Sequence, residues 1–215
     1  MRIVVFGATG GTGRAVVERA LAEGHAVTGF ARDPSTLPAA ANLTPFAGDA
    51  MKAEDVARAL AGQDAIVVAL GQRQGPSPGG TPKRTTPRNV CEVGTRHIVE
   101  ALPPGSDVPI VVVSAFGVGE TRDRLPFAYK VFYRLFLRAV VADKERQEAL
   151  LKETGLNYVL IQPAALTDKP ARGTWTASTE GALGRTEVSR ADLAAYILKI
   201  LSQGIPERRT VAFSG

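Results

Sequence analysis

The first predicted strand, Arg2–Phe6, is uninterruptedly apolar after its arginine and leads directly into the glycine-rich sequence of residues 7–13, Gly-Ala-Thr-Gly-Gly-Thr-Gly. Apolar residues without polar alternation indicate a strand that is buried on both faces. Residues 14–23 follow with a helical pattern that stops at Gly24. A buried strand, a glycine-rich turn and a helix in this order favour a parallel β-α-β unit, and this unit constrains the fold of the whole chain.

The later segments continue the same alternation of strands and helices. The pattern predicts strands at residues 25–31, 42–47, 65–70, 109–114, 157–162 and 210–213, and helices at 53–61, 88–102, 127–153 and 189–201. Two segments depart from it: residues 71–87 are expected to form a mobile loop, and residues 163–187 an irregular segment on the substrate side. We predict a single α/β domain over residues 1–215, with a Rossmann-type doubly wound, mostly parallel sheet flanked by helices.

Composition narrows the possible classes of protein. Hydrophobic residues make up 45% of the 215 residues, enough for a sizeable core, and the formal net charge is +5. The single cysteine, Cys91, cannot form an internal disulfide, which fits a reducing cytoplasm or any compartment where disulfides are not needed. Because the first strand starts at Arg2 and no apolar run reaches the roughly 20 residues of a membrane span, we expect neither a signal peptide nor a membrane anchor. We also expect no metal, no nucleic-acid partner, and a monomer or a weak homodimer.

The glycine-rich turn has the spacing G-x-x-G-x-x-G. Such a turn provides a sharp reversal, a backbone bare enough for a pyrophosphate to approach, and open N–H groups at a helix start. The two threonines of the turn add hydroxyl donors. The residues assigned to the cofactor here are Gly7, Thr9, Gly10, Gly11, Thr12 and Gly13. The alternative is a tight strand-to-helix turn without a ligand.

The end of the second predicted strand selects between the two nicotinamide dinucleotides. A carboxylate there holds the ribose 2′-hydroxyl of NAD, whereas an arginine accommodates the 2′-phosphate of NADP. Arg32 follows the strand directly and Asp33 comes one position later, so we favour NADP(H) over NAD(H). In the alternative interpretation, Asp33 binds the ribose and Arg32 is a solvated surface residue.

Three further residues are assigned to the adenosine side of the cofactor. Asp49, after the third predicted strand, is placed to accept a hydrogen bond from the adenine amino group. Its alternative role is in the turn before the helix at residue 53. Leu70 and Gly71 end the fourth predicted strand at the same edge of the sheet, and Gly71 would let the backbone pass close to the adenosine ribose.

The ordered set of motifs resembles the atypical short-chain dehydrogenase/reductases, and within them the flavin reductase/biliverdin-IXβ reductase and NmrA-like group. The segments that carry this resemblance are residues 7–13, 30–33, 48–49, 62–65, 70–71, 114–116, 155–158, 163 and 168. The resemblance covers nearly the whole chain. It implies NADP(H) binding, with hydride transfer to flavins, tetrapyrroles or quinones in some members and redox sensing with little catalysis in others.

The resemblance also implies roles at the reacting end of the site. Ser114, where the fifth predicted strand ends, is expected to orient a substrate. In the alternative, its hydroxyl satisfies a nearby strand-end backbone group. The backbone of Pro163, Ala164 and Ala165 would bind the nicotinamide carboxamide, unless these residues simply end a strand.

The expected proton donors of related enzymes are missing. No tyrosine is followed by a lysine four residues later, and Ala165 stands where flavin reductases usually have a histidine. Lys144 is the remaining titratable candidate, because reductases resembling isoflavone reductase keep an active-site lysine at a similar distance before the equivalent of Gly155. It could donate a proton or hold the nicotinamide ribose. Alternatively, residues 143–146 form a charged and solvated helix face.

Two functions fit these motifs. The first is an NADPH-dependent reductase that transfers hydride to a flavin, a quinone or a similar planar acceptor. The second is an NADP-binding, redox-sensing regulatory protein with little or no catalysis. The small size of the chain favours the reductase. Phe116 and Trp175 are expected to line an aromatic substrate pocket or to pack in the core.

Overall fold

The computed structural model describes residues 1–75, 83–125, 137–205 and 207–215, and for residues 74, 75, 83 and 84 the backbone alone. Strands and helices alternate along the chain. In chain order the described elements are β1 (Arg2–Phe6), α1 (Gly11–Ala22), β2 (Ala26–Ala31), β3 (Leu43–Ala47), α2 (Ala53–Leu60), β4 (Ala65–Val68), β5 (Gln74–Gly75), β6 (Lys83–Arg84), α3 (Val90–Ala101), β7 (Ile110–Val113), a 3₁₀ helix (Gly119–Arg124), α4 (Arg138–Lys152), β8 (Tyr158–Pro163), β9 (Ala165–Thr167), β10 (Thr176–Ser178), β11 (Glu187–Ser189), α5 (Arg190–Gln203) and β12 (Arg209–Ser214).

Eight of the strands form one sheet, in which chain order and spatial order differ. From edge to edge the strands are β10, β12, β8, β7, β4, β1, β2 and β3. Neighbouring strands are parallel, except that β10 and β12 are antiparallel. From β1 the chain moves outward to β3 and then crosses back to β4 on the other side of β1. The winding direction therefore reverses between β1 and β4, and a crevice opens at the carboxyl ends of these strands.

The residues of β1 are buried alternately against two layers of helices. Ile3 and Val5 belong to the apolar cluster that contains residues of α1 and α5. Val4 and Phe6 belong to the cluster on the other face, with residues of α2, α3 and α4. All four side chains are fully buried, which is why the segment is uniformly apolar. The predicted fold class, a Rossmann-type, mostly parallel α/β sheet with helices on both faces, is confirmed.

Three predicted segments differ from the observed elements. Within the predicted loop of residues 71–87, β5 and β6 pair as an antiparallel ribbon, and residues 76–82 lie outside the described residues. The predicted helix at 127–153 is observed from Arg138 onward as α4, and residues 126–136 lie outside the described residues. The segment 163–187 contains β9, which pairs with β11, and β10, which adds an antiparallel edge to the main sheet.

The start of α5 is held in place by polar side chains. Ser189 caps the helix, because its hydroxyl oxygen accepts the N–H of Asp192 at 2.9 Å. The Asp192 carboxylate in turn accepts the N–H groups of Arg172 at 3.0 Å and Gly173 at 2.9 Å. These bonds fix the first turn of α5 against the segment that follows β9. Among the described helices, none combines the length and the apolar composition needed to cross a lipid bilayer.

Candidate cofactor and active site

A cleft of about 860 Å³ runs along the carboxyl ends of β1, β2, β4 and β7, where the winding direction reverses. This volume is in the range of small-molecule and cofactor sites. Five cationic and two acidic residues stand in its described wall, which favours an anionic ligand. The described wall consists of Gly7, Thr9, Gly10, Gly11, Thr12, Arg14, Phe30, Ala31, Arg32, Asp33, Thr36, Gly48, Asp49, Ala50, Ala69, Leu70, Gly71, Gln72, Arg73, Thr86, Val90, Val113, Ser114, Lys144, Leu166 and Arg190.

The glycine-rich turn lines the cleft where β1 ends, between the ends of β4 and β2. Gly7 has a φ of 83°, in the left-handed region, and a Cβ at this position would lie 2.6 Å from the carbonyl oxygen of Ala69. Gly10 precedes the first residue of α1, and no described side chain caps this helix start. The first N–H groups of an α-helix have no acceptor within the helix. Those of α1 are therefore available to an anionic group in the cleft.

Of the six turn residues assigned to the cofactor, five line the cleft, and Gly13 is the exception. A Cβ on Gly13 would collide with the carbonyl group of Gly7. Gly13 therefore lets α1 pack closely on the end of β1. Its contribution to the site is the shape of the turn rather than a surface for the ligand.

Two arginines and a carboxylate lie where β2 ends, and all three line the cleft. Arg32 donates through Nη1 to the carbonyl oxygen of Thr85 at 2.6 Å. Arg14, which the sequence analysis did not single out, donates to a carbonyl oxygen of the loop after β2 at 2.9 Å. Hydrogen bonds from the side chain and the backbone of Ser35 lower the pKa of Asp33. The structure thus brings Arg32 and Asp33 together and adds a second guanidinium group.

The three residues predicted for the adenosine side also line the cleft. Asp49 Oδ1 accepts the N–H of Met51 at 3.0 Å, and the Asp49 N–H donates to Asp55 at 2.9 Å. Asp49 therefore organises the turn before α2, which was its alternative role, and its contact with adenine stays a prediction. Leu70 and Gly71 border the cleft just beyond β4, as expected from the end of that strand.

Lys144 lies at the inner end of the cleft with an exposure of 6%. Its ammonium group donates to the carbonyl oxygens of Leu70 at 3.0 Å and Val113 at 2.7 Å, and to Gln147 Oε1 at 3.1 Å. The interpretation of Lys144 as part of a solvated face is therefore wrong, because α4 turns this side of the charged run inward. A lysine has three N–H donors, and all three have acceptors within the protein. Val140 stands four residues earlier, where the Tyr-x-x-x-Lys motif would have its tyrosine.

Ser114 lines the cleft beside the carbonyl group to which Lys144 is bound. Its hydroxyl donates to Glu148 Oε1 at 2.5 Å, and its N–H donates to the carbonyl oxygen of Ile161 at 2.7 Å. The hydroxyl thus bonds to a buried carboxylate rather than to a strand-end backbone group, which was the alternative. Glu148 also accepts from Gln162 Nε2, at 2.9 Å through Oε1 and at 3.1 Å through Oε2.

The inward face of α4 is polar, which was not predicted from the sequence. Its buried residues are Asp143, Lys144, Gln147, Glu148 and Leu151. The spacing of these positions is that of one helix face. The charged run suggested a solvated surface, whereas the shared face of these residues was the signal that could have pointed to a buried network.

Asp143 connects α4 with the start of α3. Its carboxylate accepts the N–H groups of Cys91 at 3.1 Å and Glu92 at 3.0 Å, in the first turn of α3. The Cys91 thiol donates to the carbonyl oxygen of Leu70 at 3.4 Å, and burial raises its pKa to about 11. Cys91 is therefore a buried thiol next to the cleft wall and is not suited to act as a nucleophile.

Arg190, the first residue of α5, was also missed. Its side chain lies over the glycine-rich turn, because a Cβ added to Gly11 would stand 2.7 Å from Arg190 Nε. Arg190 Nη1 pairs with Asp168 at 2.8 Å, and the Asp168 side chain is 86% exposed. A pair with such an exposed partner is a weak contact. Arg190 therefore places a cation beside the start of α1 that is held only loosely by its present partner.

The segment after β8 is placed differently from the prediction, because Pro163, Ala164 and Ala165 are outside the described wall of the cleft. The N–H of Ala164 donates to a carbonyl oxygen of β12 at 2.8 Å, and that of Ala165 to the carbonyl oxygen of Thr186 at 3.1 Å. Proline has no N–H. These three residues have no N–H left to donate to the carboxamide oxygen, and the contact with the nicotinamide that the resemblance implied stays a prediction.

The two aromatic residues expected near the substrate are also outside the described wall. Trp175 packs against Tyr196 and Phe213, with ring centroids 6.0 and 6.1 Å away, so core packing is its observed role. Phe116 is buried. In the parts of the chain that the structure describes, no group of three or more His, Cys, Asp or Glu residues is placed to hold a metal ion.

The match to a known family spans nearly all of this architecture. A family model described as NAD(P)H-binding matches residues 7–204, from the glycine-rich turn to the end of α5. The chain belongs to the NAD(P)H-binding family. An uncharacterised chloroplast protein of Arabidopsis thaliana is similar, with 28% identity over 209 residues that cover 94% of this chain and 72% of the relative. The predicted NAD(P)-binding resemblance is confirmed at this level.

Solved structures with the same fold include oxidoreductases. A short-chain dehydrogenase/reductase of Veillonella parvula in complex with NADP superposes with a TM-score of 0.78 and 16% identity, covering 100% of this chain and 94% of that chain. An anaerobillin reductase of Escherichia coli O157:H7 superposes with a TM-score of 0.76 and 21% identity, covering 100% of this chain and 97% of that chain. At these identities the likeness concerns the fold.

Proposed function

We propose that the protein binds NADPH in the cleft and transfers a hydride from it to a flavin, a quinone or a similar planar acceptor. The observation that carries this proposal is the arrangement of the cleft. An uncapped helix start behind a glycine-rich turn lines the cleft where β1 ends, and Ser114 and Lys144 line it beside the end of β7, two strands away. An anionic group and a reactive ring of one dinucleotide can occupy these two places together.

The charged residues of the cleft fit a dinucleotide with an additional phosphate. The open N–H groups of α1 and the Arg190 guanidinium would hold the diphosphate. Arg32 and Arg14 would hold the 2′-phosphate, because a planar guanidinium matches phosphate oxygens in pairs. Asp33 is the competing group, since a carboxylate favours a ribose hydroxyl. Because two arginines and a single carboxylate lie at this position, we favour NADP(H) over NAD(H) as the cofactor.

When bound, the nicotinamide supplies the hydride. The chain itself contributes a buried positive charge on Lys144 and the Ser114 hydroxyl at the inner end of the cleft. All N–H groups of Lys144 and the proton of Ser114 are donated within the protein, so we expect the proton of the product to come from water. Reduction of a flavin or quinone tolerates this, whereas reduction of a ketone to an alcohol generally uses an enzyme acid.

Two solved structures of similar fold support the proposal, because one is that of a reductase and the other was determined with NADP bound. A monomeric or weakly dimeric state stays a prediction. A cytoplasmic location also stays a prediction, and the Arabidopsis relative is a chloroplast protein.

Steady-state NADPH oxidation with a panel of flavins and quinones tests the activity, and a glycine variant tests the site. We expect Gly10→Val to abolish NADPH binding while the domain stays folded. Apart from atoms of Gly10 and its chain neighbours, the carbonyl oxygen of Gly7 at 3.2 Å is the only described atom within 4 Å of a Cβ at Gly10, which borders the cleft. The added side chain would then occupy the approach to the helix start.

Gly155→Val is the matched control, because no described atom beyond Gly155 and its chain neighbours lies within 4 Å of a Cβ there, and Gly155 is outside the cleft wall. This variant should bind NADPH as the unmodified protein does. If Gly10→Val kept its affinity and a native thermal melt, the turn would be purely structural and the proposed cofactor site would be refuted.

A second candidate function is an NADP sensor with little or no catalysis. It is favoured by the same hydrogen bonds, because neither Lys144 nor Ser114 has a proton available for chemistry. The sensor would bind NADPH, but NADPH oxidation would not exceed the uncatalysed rate with any acceptor of the panel. That result would overturn the reductase.

A further inference from the structure

Glu148 lies directly behind Ser114 and is 1% exposed. Its Oε1 faces the Ser114 hydroxyl and the Gln162 amide, which also reaches Oε2. The Lys152 ammonium is 3.8 Å from Oε2. These described polar neighbours are all hydrogen-bond donors or cations, so both oxygens of Glu148 act as acceptors.

This environment fixes the direction in which the Ser114 hydroxyl proton points. A serine hydroxyl has one proton and two lone pairs. A carboxylate that accepts at both oxygens has no proton to return, so the Ser114 proton points to Glu148. Towards the cleft Ser114 can then only accept a hydrogen bond. Lys144, at the same end, has its three N–H groups bound elsewhere and adds no donor.

We propose that Glu148 fixes Ser114 as a hydrogen-bond acceptor, and that the inner end of the cleft thereby selects electron acceptors that present an N–H group. This inference rests on the proposed reductase function and narrows its substrate class. Heterocycles with a ring N–H, such as flavins, match the Ser114 lone pairs. The edge of a quinone presents carbonyl oxygens. These would face a lone pair of the Ser114 oxygen and could not form a hydrogen bond with it.

The energetic reason for this selection is the cost of reversing Ser114. To donate to a carbonyl group in the cleft, Ser114 would have to withdraw its proton from a buried carboxylate. A hydrogen bond to a charged group contributes more than one between neutral groups, and leaving a buried acceptor with fewer donors adds a desolvation cost. Glu148 is therefore a positioning residue that acts through Ser114.

A pair of flavins that differ by one methyl group tests the inference. Lumiflavin carries an N–H at N3, and 3-methyllumiflavin carries a methyl group there and has no ring N–H. We expect the protein saturated with NADP⁺ to bind lumiflavin about tenfold more tightly, which corresponds to one hydrogen bond. With NADPH, kcat/KM should favour lumiflavin by a similar factor. Quenching of flavin fluorescence measures the affinities, and NADPH absorbance measures the rates.

Variants of the serine–carboxylate pair separate positioning from general structure. In Glu148→Gln, the new amide can donate to Ser114 and turn its proton towards the cleft, so the preference for lumiflavin should vanish or reverse. Ser114→Ala should also remove it, and adding Glu148→Gln to Ser114→Ala should change it no further. Glu145→Gln makes the same chemical change on α4 at a carboxylate that pairs with Arg122, and it should leave the preference intact.

The outcomes distinguish this inference from the proposed function. If the protein binds no NADPH, the proposed function fails. If NADPH binds but the two flavins bind equally, or neither binds, the selection by Ser114 is refuted. An unchanged preference in a folded Glu148→Gln protein would refute the role of Glu148, and should that variant not fold, a preference that persists in Ser114→Ala would refute the inference equally well.

Discussion

At the scale of single residues, Lys144 shows where the sequence was sufficient and where it was not. The distance to Gly155 correctly pointed to Lys144 as a cleft residue, but its charged neighbours favoured a solvated face. The two interpretations differ only in how α4 is rotated about its axis. That rotation depends on acceptors supplied by Leu70 and Val113, which are distant in sequence. Such acceptors cannot be found from the local pattern around residue 144.

The choice between the two dinucleotides is made by individual side chains, and we expect Arg32 to dominate it. Arg32→Ala should reduce the preference for NADPH over NADH roughly ten- to hundredfold, because charged hydrogen bonds to the 2′-phosphate are lost. Isothermal titration with both cofactors measures the ratio. Arg208→Ala is the control, since Arg208 is an exposed arginine that also donates to a loop carbonyl but lies outside the cleft wall. Equal affinities for NADPH and NADH in the unmodified protein would contradict the assignment.

At the scale of elements, the ends of strands were predictable and the contacts between distant elements were not. The glycine-rich turn and Ser114 reach the cleft because each follows a buried parallel strand, and this order is written in the local sequence. Arg190 reaches the same cleft from α5, far along the chain. Its position depends on α1 and α5 packing on one face of the sheet. The hydrophobic pattern predicted both helices but gave no reason to place them side by side.

The contact of α5 with the glycine-rich turn predicts a role for Arg190 in holding the diphosphate. Arg190→Ala should weaken NADPH binding about tenfold, the equivalent of one charge-assisted contact, and leave the affinity for 2′-AMP unchanged, because that ligand has no diphosphate. Asp168→Asn should strengthen NADPH binding slightly, since it removes the present partner of Arg190. Titrations at fixed salt measure all three affinities.

Lys169→Ala provides the control for this experiment. Lys169 follows Asp168 in the chain, forms an exposed ion pair with Glu187, and lies outside the cleft wall. We expect the Lys169→Ala variant to bind NADPH like the unmodified protein. If Lys169→Ala lost as much affinity for NADPH as Arg190→Ala, the effect would be one of general electrostatics. If Arg190→Ala lost affinity for NADPH and for 2′-AMP equally, a specific contact with the diphosphate would be excluded.

At the scale of the whole molecule, the sequence predicted a parallel sheet with helices on both faces but not the order of its strands. Doubly buried strands such as β1 and β7 are recognisable from their uniform apolar residues. The antiparallel pairing of β10 at the sheet edge and the short ribbon of β5 and β6 were not predicted. Both are too short to show a periodic pattern, and their pairing partners lie far away or in an irregular segment. The position of the cleft follows from the reversal of the winding direction, which is a property of the complete sheet.

Because the cleft draws on the carboxyl ends of β1, β2, β4 and β7, bound cofactor should stabilise the folded chain as a unit. At a free NADPH concentration of about 100 times Kd, linkage gives roughly 2.7 kcal/mol. For a chain of this length each kcal/mol raises Tm by about 2–4 °C, so we expect an increase of roughly 5–10 °C in a thermal melt. NADH at the same concentration should raise Tm less, because it lacks the 2′-phosphate. Gly10→Val should show no increase with NADPH, whereas Gly155→Val should match the unmodified protein. An increase in Tm that is equally large for Gly10→Val would mean that NADPH binds elsewhere on the molecule.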